Sequence, residues 1–299
     1  MVKIKCKSIT RDVLSFRILG YTFVVIIALT CILPFWMILS ASFTTEQSIL
    51  KDGYGLWPKE FSIKSYSLSL SNPAAMLRAY GVTGLVTVLG TAASICMCTM
   101  AGYVIYRKDF PLRNAFSMYF FFTTLFSGGL VPTYILVVNT LHLKNTIWAL
   151  FLPSVVSVWN ILMVKGFMHG IPFEITEAGK LDGAGDFVVF AKIIVPLSVP
   201  VIATISLFTA LNYWNDWYLC MLYITDEQLY TLQYYLHDLL ESAKAVRSIV
   251  EKYALEIEVP PVESMKMSLT IIVIGPIFLV YPFVQKYFVS GLTIGAVKG

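Results

Sequence analysis

The chain has 299 residues, of which 57% are hydrophobic and only 13% charged, and its formal net charge is +4. So apolar a composition excludes a soluble globular domain, and a small charge spread over scattered Lys and Arg excludes an extended nucleic-acid surface. The length accommodates several bilayer crossings of about 20 residues each, so the expected fold class is all-α and polytopic in a lipid bilayer.

Six apolar segments stand out, near residues 18–43, 77–106, 115–141, 147–168, 197–224 and 267–289. The first follows Lys3, Lys5, Lys7, Arg11 and Arg17. Its run is too long for a secretory signal and lacks a small-residue cleavage site, so it is expected to span. Those basic residues, together with Arg107, Lys108 and Arg113 after the second segment, put the N-terminus and the second connection on the cytoplasmic side. The implied organisation is a cytoplasmic segment 1–17, a six-helix transmembrane domain 18–290 and a cytoplasmic tail 291–299. Within the domain, loop 171–196 is cytoplasmic and loops 44–76 and 225–266 are external. Of the five cysteines, Cys6, Cys31, Cys96, Cys98 and Cys220, most fall in apolar runs without metal-ligand spacing, as small packing residues do.

In the second segment Gly90, Ser94, Cys98 and Gly102 recur every four residues, a small-residue stripe that lets another helix approach closely. In the third, "FSGGLVPTY" sets Pro132 four residues after Gly128, so the Gly128 carbonyl loses its helical donor and a kink is expected. Kinked spans recur where transporters line a cavity, which makes Tyr134 a pathway candidate. Trp159 and Asn160 in the fourth segment share that status. The fifth ends in "LNYWNDWYLCMLYI". An interfacial belt accounts for Tyr213, Trp214, Trp217 and Tyr218, whereas Asn212, Asn215 and Asp216 in the same turn point to a bundle interior or aqueous cavity. Aromatic faces beside amides suit sugar rings, so Asn212 and Asn215 are further pathway candidates.

Between the fifth and sixth segments, Leu232, Leu236, Leu239, Leu240, Ala243, Val246 and Val250 fall on one helical face, with His237, Asp238, Glu241, Lys244 and Arg247 largely opposite. An amphipathic external helix is expected there, lying on the membrane, covering the bundle or docking a partner. His237 alone is no metal site. No phosphate-binding G-x-x-x-x-G-K-[ST], no H-E-x-x-H, no G-x-S-x-G and no run of intramembrane carboxylates occurs, so an enzyme is not expected. Active transport would then draw its energy from a separate subunit or an unrecognised ion site.

The polar, glycine-rich stretch "ITEAGKLDGAGDFVVFAKIIVP", Ile175 to Pro196, interrupts this apolar chain. Glu177, Ala178, Gly179, Gly183, Ile193, Val195 and Pro196 resemble the pattern Glu-Ala-Ala, three residues, Gly, nine residues, Ile, one residue, Leu-Pro, with Gly179 for the second Ala and Val195 for Leu. That is the cytoplasmic coupling loop of binding-protein-dependent (MetI-like) ABC importer permeases. "DGA" at Asp182 to Ala184, "NYWNDWY" and the terminal "GLTIGAVKG" are similar to the carbohydrate-uptake branch and its maltose-type G subunit. "FSGGLVPTYILV" and "LKNTIWALFLPSVVSVWN" are similar to oligosaccharide permeases of the LplC and YtcP type.

The resemblance implies a type I ABC importer permease fold and import of a sugar, an oligosaccharide in the narrower grouping. It implies a homologous second permease, two ATP-binding subunits carrying ATP and Mg, a solute-binding protein, and no cofactor on this chain. Contacts to the ATPase would come from Glu177, Ala178, Gly179, Asp182, Gly183, Ala184, Ile193 and Pro196, with Gly295, Lys298 and Gly299 of the tail as secondary contacts. A short helix from Phe173 to Lys180, a turn at Gly183 and a second helix leading to Pro196 are expected, with Pro172 suited to a first turn and Gly183 to backbone conformations closed to other residues. Ala178, Gly179, Gly183, Ala184 and Gly185 would keep one surface bare for a partner's cleft. The rivals are a stand-alone secondary carrier, which calls for intramembrane ion ligands and paired broken helices, and a membrane scaffold or sensor using the external helix.

Overall fold

The computed structural model describes residues 11–253 and 259–278, and the regular elements among them are helical, with one isolated bridge between Thr44 and Phe61. The chain divides into two compact units. One takes the chain up to Ser71 with Leu240–Ile274; the other takes Asn72–Leu239 and the chain from Gly275 on.

In the first unit, α1 (Arg11–Ser42) is a continuous helix around Pro34, and none of its most apolar window is buried within the chain, as suits a lipid-facing span. The short helices α2 (Glu46–Asp52) and α3 (Lys64–Ser69) follow. Glu46 caps the N-terminus of the last described helix, residues 262–278: its carboxylate accepts from the backbone N–H of Glu263 at 3.1 Å and of Ser264 at 3.0 Å, and pairs with Arg247. Arg247 lies on α13 (Leu232–Tyr253). That helix buries Leu232, Leu236, Ala243 and Val250 as its periodicity predicts, but Val246 is exposed. At 3.6 residues per turn Val246 sits three residues past Ala243 and at the margin of the buried stripe.

The second unit is organised by α4 (Pro73–Tyr106), a helix of 34 residues begun by an Asn72 cap and Pro73 at its first position. The small-residue stripe is its buried face. A Cβ on Gly90 would stand 2.7 Å from the Tyr213 ring, and one on Gly102 would stand 2.7 Å from Val164 Cγ1. Ser94 and Cys98 are fully buried between them. α4 therefore packs closely against α7 (Val158–Met168) and α11 (Val199–Trp214).

The remaining spans are broken rather than continuous. α5 (Arg113–Leu125) and α6 (Leu130–Ile135, continued as a π turn to Thr140) meet at 112°. The kink expected at Pro132 lies earlier, at Phe126–Gly129, because Gly129 takes φ +87°, and Pro132 falls in the first turn of α6, where its missing N–H has no helical partner to serve. The fourth apolar segment bends by 51° between a 3₁₀ stretch ending at Ser154 and α7. Before α11, the segment from Asp186 turns by 81° at Ser198, where Pro200 removes the donor that would continue the helix. Among the described residues, two helices are long and apolar enough to cross a membrane by themselves, and up to five spans result if each bent pair counts as one. The sixth expected segment lies partly outside the described residues.

Candidate functional site

The chain enters the polar stretch through Pro172, which caps α8 (Phe173–Leu181). Gly183 closes that helix with φ +82°. Its N–H donates to the Lys180 carbonyl at 3.0 Å and the Ala184 N–H to the Gly179 carbonyl at 3.0 Å, the paired bonds of a Schellman cap. The chain reverses at Gly185 into α9 (Asp186–Val189), followed by a π turn, Phe190–Ile194, and the short α10 (Val195–Leu197). The helix, glycine turn and returning helix expected for this stretch are all present.

One side of this hairpin is sealed. Gly179 is buried against Ile193 and Val189, and a Cβ there would stand 3.0 Å from Ile193 Cδ1 and 3.2 Å from Val189 Cγ2. That proximity accounts physically for glycine at this position. Val189 and Ile194 are fully buried with Tyr103, Tyr106, Val164 and Met168. Of the candidate coupling residues, Glu177, Ala178, Asp182, Gly183 and Pro196 are exposed, Ala184 and Ile193 are half-buried, and Gly179 supports the hairpin from beneath. Two residues that motif reading passed over share the exposed tip, Leu181 at 89% and Phe187 at 69% exposure. Apolar side chains so open next to a bare glycine turn are unusual for a solvated loop and fit a partner surface. Their apolar character beside the glycines was the available signal. Gly295, Lys298 and Gly299 lie outside the described residues.

A ring of four charges anchors the hairpin. Arg107 and Lys180 bridge the carboxylates of Asp109 and Asp186, with Arg107–Asp186 at 2.8 Å and Lys180–Asp109 at 2.6 Å. The guanidinium of Arg107 holds Asp109 well below the usual carboxylate range, and Arg107 with Lys180 lowers Asp186 as well. The hydrogen bond to Asp109 raises Lys180 in turn.

A second feature is a cleft of about 580 Å³ lined by residues of α4, α7 and α11 and the break before α7. Ser94, Ser154, Ser157, Asn160, Thr209 and Asn212 supply uncharged polar groups, and Trp159, Phe208 and Tyr213 supply aromatic faces. Asn160 is buried and donates its amide to Thr209 Oγ1 at 3.0 Å, tying α7 to α11. Trp159 and Asn212 are exposed to the cleft. Asp216 also lines it, but its carboxylate accepts the Leu219 N–H at 3.0 Å at the start of α12 (Tyr218–Tyr223). The structure thus gathers Trp159, Asn160 and Asn212 and leaves two pathway candidates elsewhere. Tyr134 stacks on Tyr223, with centroids 5.9 Å apart, and Asn215 accepts from Gln233 Nε2 at 3.0 Å.

Residues 94–294 match the family described as the binding-protein-dependent transport system inner membrane component. The chain is 36% identical over 284 residues to the polygalacturonan/rhamnogalacturonan transport system permease protein YtcP of Bacillus subtilis (strain 168), covering 95% of this chain and 98% of that one. It is 38% identical over 270 residues to the LplC protein of the same organism, covering 90% of each. A bacterial ABC transporter involved in the import of the acidic polysaccharide alginate has the same fold, with a TM-score of 0.74 at 24% identity over 93% of this chain and 98% of that one. The chain belongs to the binding-protein-dependent transport system inner membrane components, the permease subunits of ABC importers.

Proposed function

We propose that this chain is one of two homologous permeases in an ATP-driven importer of a sugar, an oligosaccharide in the narrower reading, with its N-terminus in the cytoplasm. The hairpin Phe173–Pro196 carries this reading: it presents Glu177, Ala178, Asp182 and Gly183 together with Leu181 and Phe187 on one exposed tip, over a base fixed by the buried Gly179 and Val189. Two ATP-binding subunits, which hold ATP and Mg, close on each other and carry the hairpins with them. A solute-binding protein delivers the sugar from outside, and the cleft with Trp159, Asn160 and Asn212 forms this chain's part of the pathway. ATP shifts the bundle between its two states only through a difference in how the hairpin binds the open and the closed ATPase pair. Hydrolysis belongs to those partners; this chain supplies the surface they move and the wall the sugar passes.

Replacing Gly183 by Leu tests the assignment, since a branched side chain at φ +82° strains the turn by about 1–2 kcal/mol and fills the bare surface. In the reconstituted complex, sugar uptake and binding-protein-stimulated ATP hydrolysis should both fall sharply. Wild-type uptake and stimulation in that variant would refute ATPase docking at the hairpin.

A further inference from the structure

The hairpin is joined to the bundle by more than its two chain ends. Arg107, the residue that closes α4, donates Nε to Asp109 Oδ1 at 2.8 Å, Nη2 to Asp109 Oδ2, and Nη1 to Asp186 at 2.8 Å. Lys180 on α8 donates to Asp109 Oδ2 at 2.6 Å and pairs with Asp186 Oδ1 at 3.3 Å. Each carboxylate is therefore bridged by both cations. The ring links both arms of the hairpin, through Lys180 and Asp186, to the end of α4. Isolated surface ion pairs contribute little and are screened by salt. This one is centred on an arginine whose side chain is only 15% exposed, lies 5.8 Å from the Tyr103 ring centroid, and grips Asp109 with two parallel bonds.

The other end of the connection matters equally. α4 is unbroken over its 34 residues, and Ser94, thirteen positions before Arg107 and roughly 20 Å along the helix axis, lines the cleft. The onward path from the hairpin through α9 passes a π turn and an 81° bend before it reaches α11. A continuous helix is one rigid element, and rigid elements carry energetic coupling between separated sites.

We propose that Arg107 is a positioning residue for coupling: the Arg107–Asp109–Lys180–Asp186 ring clamps the hairpin to the end of α4, so that hairpin movement reaches the cleft along that helix. This rests on reading the hairpin as the ATPase-docking element.

The test uses the full complex in proteoliposomes, on a cysteine-free background carrying Trp159→Cys as a reporter in the cleft. The probe is a membrane-impermeant maleimide, and the quantity read is the change in labelling rate on adding MgATP with vanadate. Asp186→Asn is isosteric at an exposed position and leaves packing intact. It and Arg107→Met should each cut the MgATP response by about five-fold, with ATPase co-purification and basal hydrolysis unchanged. Arg107→Lys, which keeps the charge and loses the fork, should fall between. The double reversal Arg107→Glu with Asp186→Arg should recover more than either single reversal. A wild-type response in Asp186→Asn and Arg107→Met, or a double reversal no better than its singles, overturns the clamp while leaving the docking assignment standing. Failure of the unmutated complex to co-purify with its ATPase, or to respond to MgATP, overturns the docking assignment and the clamp with it.

Discussion

The hairpin and the cleft of the second unit are built on opposite principles. The hairpin's turn comes from its own backbone, a Schellman cap at Gly183 and a reversal at Gly185, and its outer end is held by charges above the buried Val189 and Ile194. The cleft lies in the interface of α4 with α7 and α11, distant segments pressed together, Gly90 under Tyr213 and Gly102 under Val164, and its polar groups are mostly uncharged. The contrast teaches that damage to the hairpin should uncouple an assembled complex, whereas damage to the packing around the cleft should prevent assembly. A turn with its own hydrogen bonds survives the loss of a partner. A close-packed helix interface has no slack to give.

The largest effect is expected at Gly102. Even an alanine Cβ would stand 2.7 Å from Val164 Cγ1 and 3.1 Å from the Ile161 carbonyl oxygen, so Gly102→Leu must push helices apart at a cost of about 3 kcal/mol or more. Size-exclusion profiles and thermal unfolding of the solubilised complex should show loss of the folded assembly. A monodisperse Gly102→Leu complex with unchanged melting would break the contrast from the packing side.

Next come the two asparagines. Asn160→Ala removes a buried tie to Thr209 and should lower stability by about 1–2 kcal/mol. Asn212 is exposed to the cleft, so Asn212→Ala should leave melting unchanged and raise the sugar concentration needed for half-maximal uptake. Equal effects of the two on melting would erase the distinction between a structural and a pathway amide.

A smaller effect concerns pH. Asp109 and Asp186 lie below their ordinary value of 3.8, so what they contribute is complete above that value and is lost only as pH falls through the lowered one. Lys180 is raised above its ordinary 10.5, so its contribution is complete below that value and is lost as pH rises through the raised one. The MgATP response of the cleft should therefore be flat from about pH 5 to 9. A step near neutrality would contradict control by this ring.

The smallest is Gly179→Ala. The gain in helix propensity, about 1 kcal/mol, opposes the pressure on Ile193 and Val189. Melting should move by no more than about 1 kcal/mol in either direction, and a larger loss would show that the hairpin base is rigidly packed.

The hairpin was legible in the sequence because its information is local. Glycine at 183 and 179, the spacing to Pro196 and the proline entry are all read within about two dozen residues. The stripe from Gly90 to Gly102 was legible for the same reason. Its partners were not, since nothing in one sequence pairs Gly102 with Val164. The charge ring was missed on that account too: Arg107 and Asp109 meet Lys180 and Asp186 across more than seventy residues of chain, and scattered charges carry no periodicity. The three breaks were missed or misplaced because hydropathy sees an apolar run and is blind to φ at Gly129 or to the missing donor at Pro200. Tyr134 and Asn215 show the converse. Residue type made them pathway candidates, and tertiary contacts with Tyr223 and Gln233 set them apart from the cleft.

Contact between the hairpin tip and an ATP-binding subunit is the central claim, and Phe187, 69% exposed, is the position from which to test it. With a benzophenone amino acid in place of Phe187, irradiation of the assembled complex should yield a covalent adduct between this chain and the ATP-binding subunit, at a yield that changes when MgATP is added. Adducts to lipid alone, or none in a complex that still imports sugar, would contradict it.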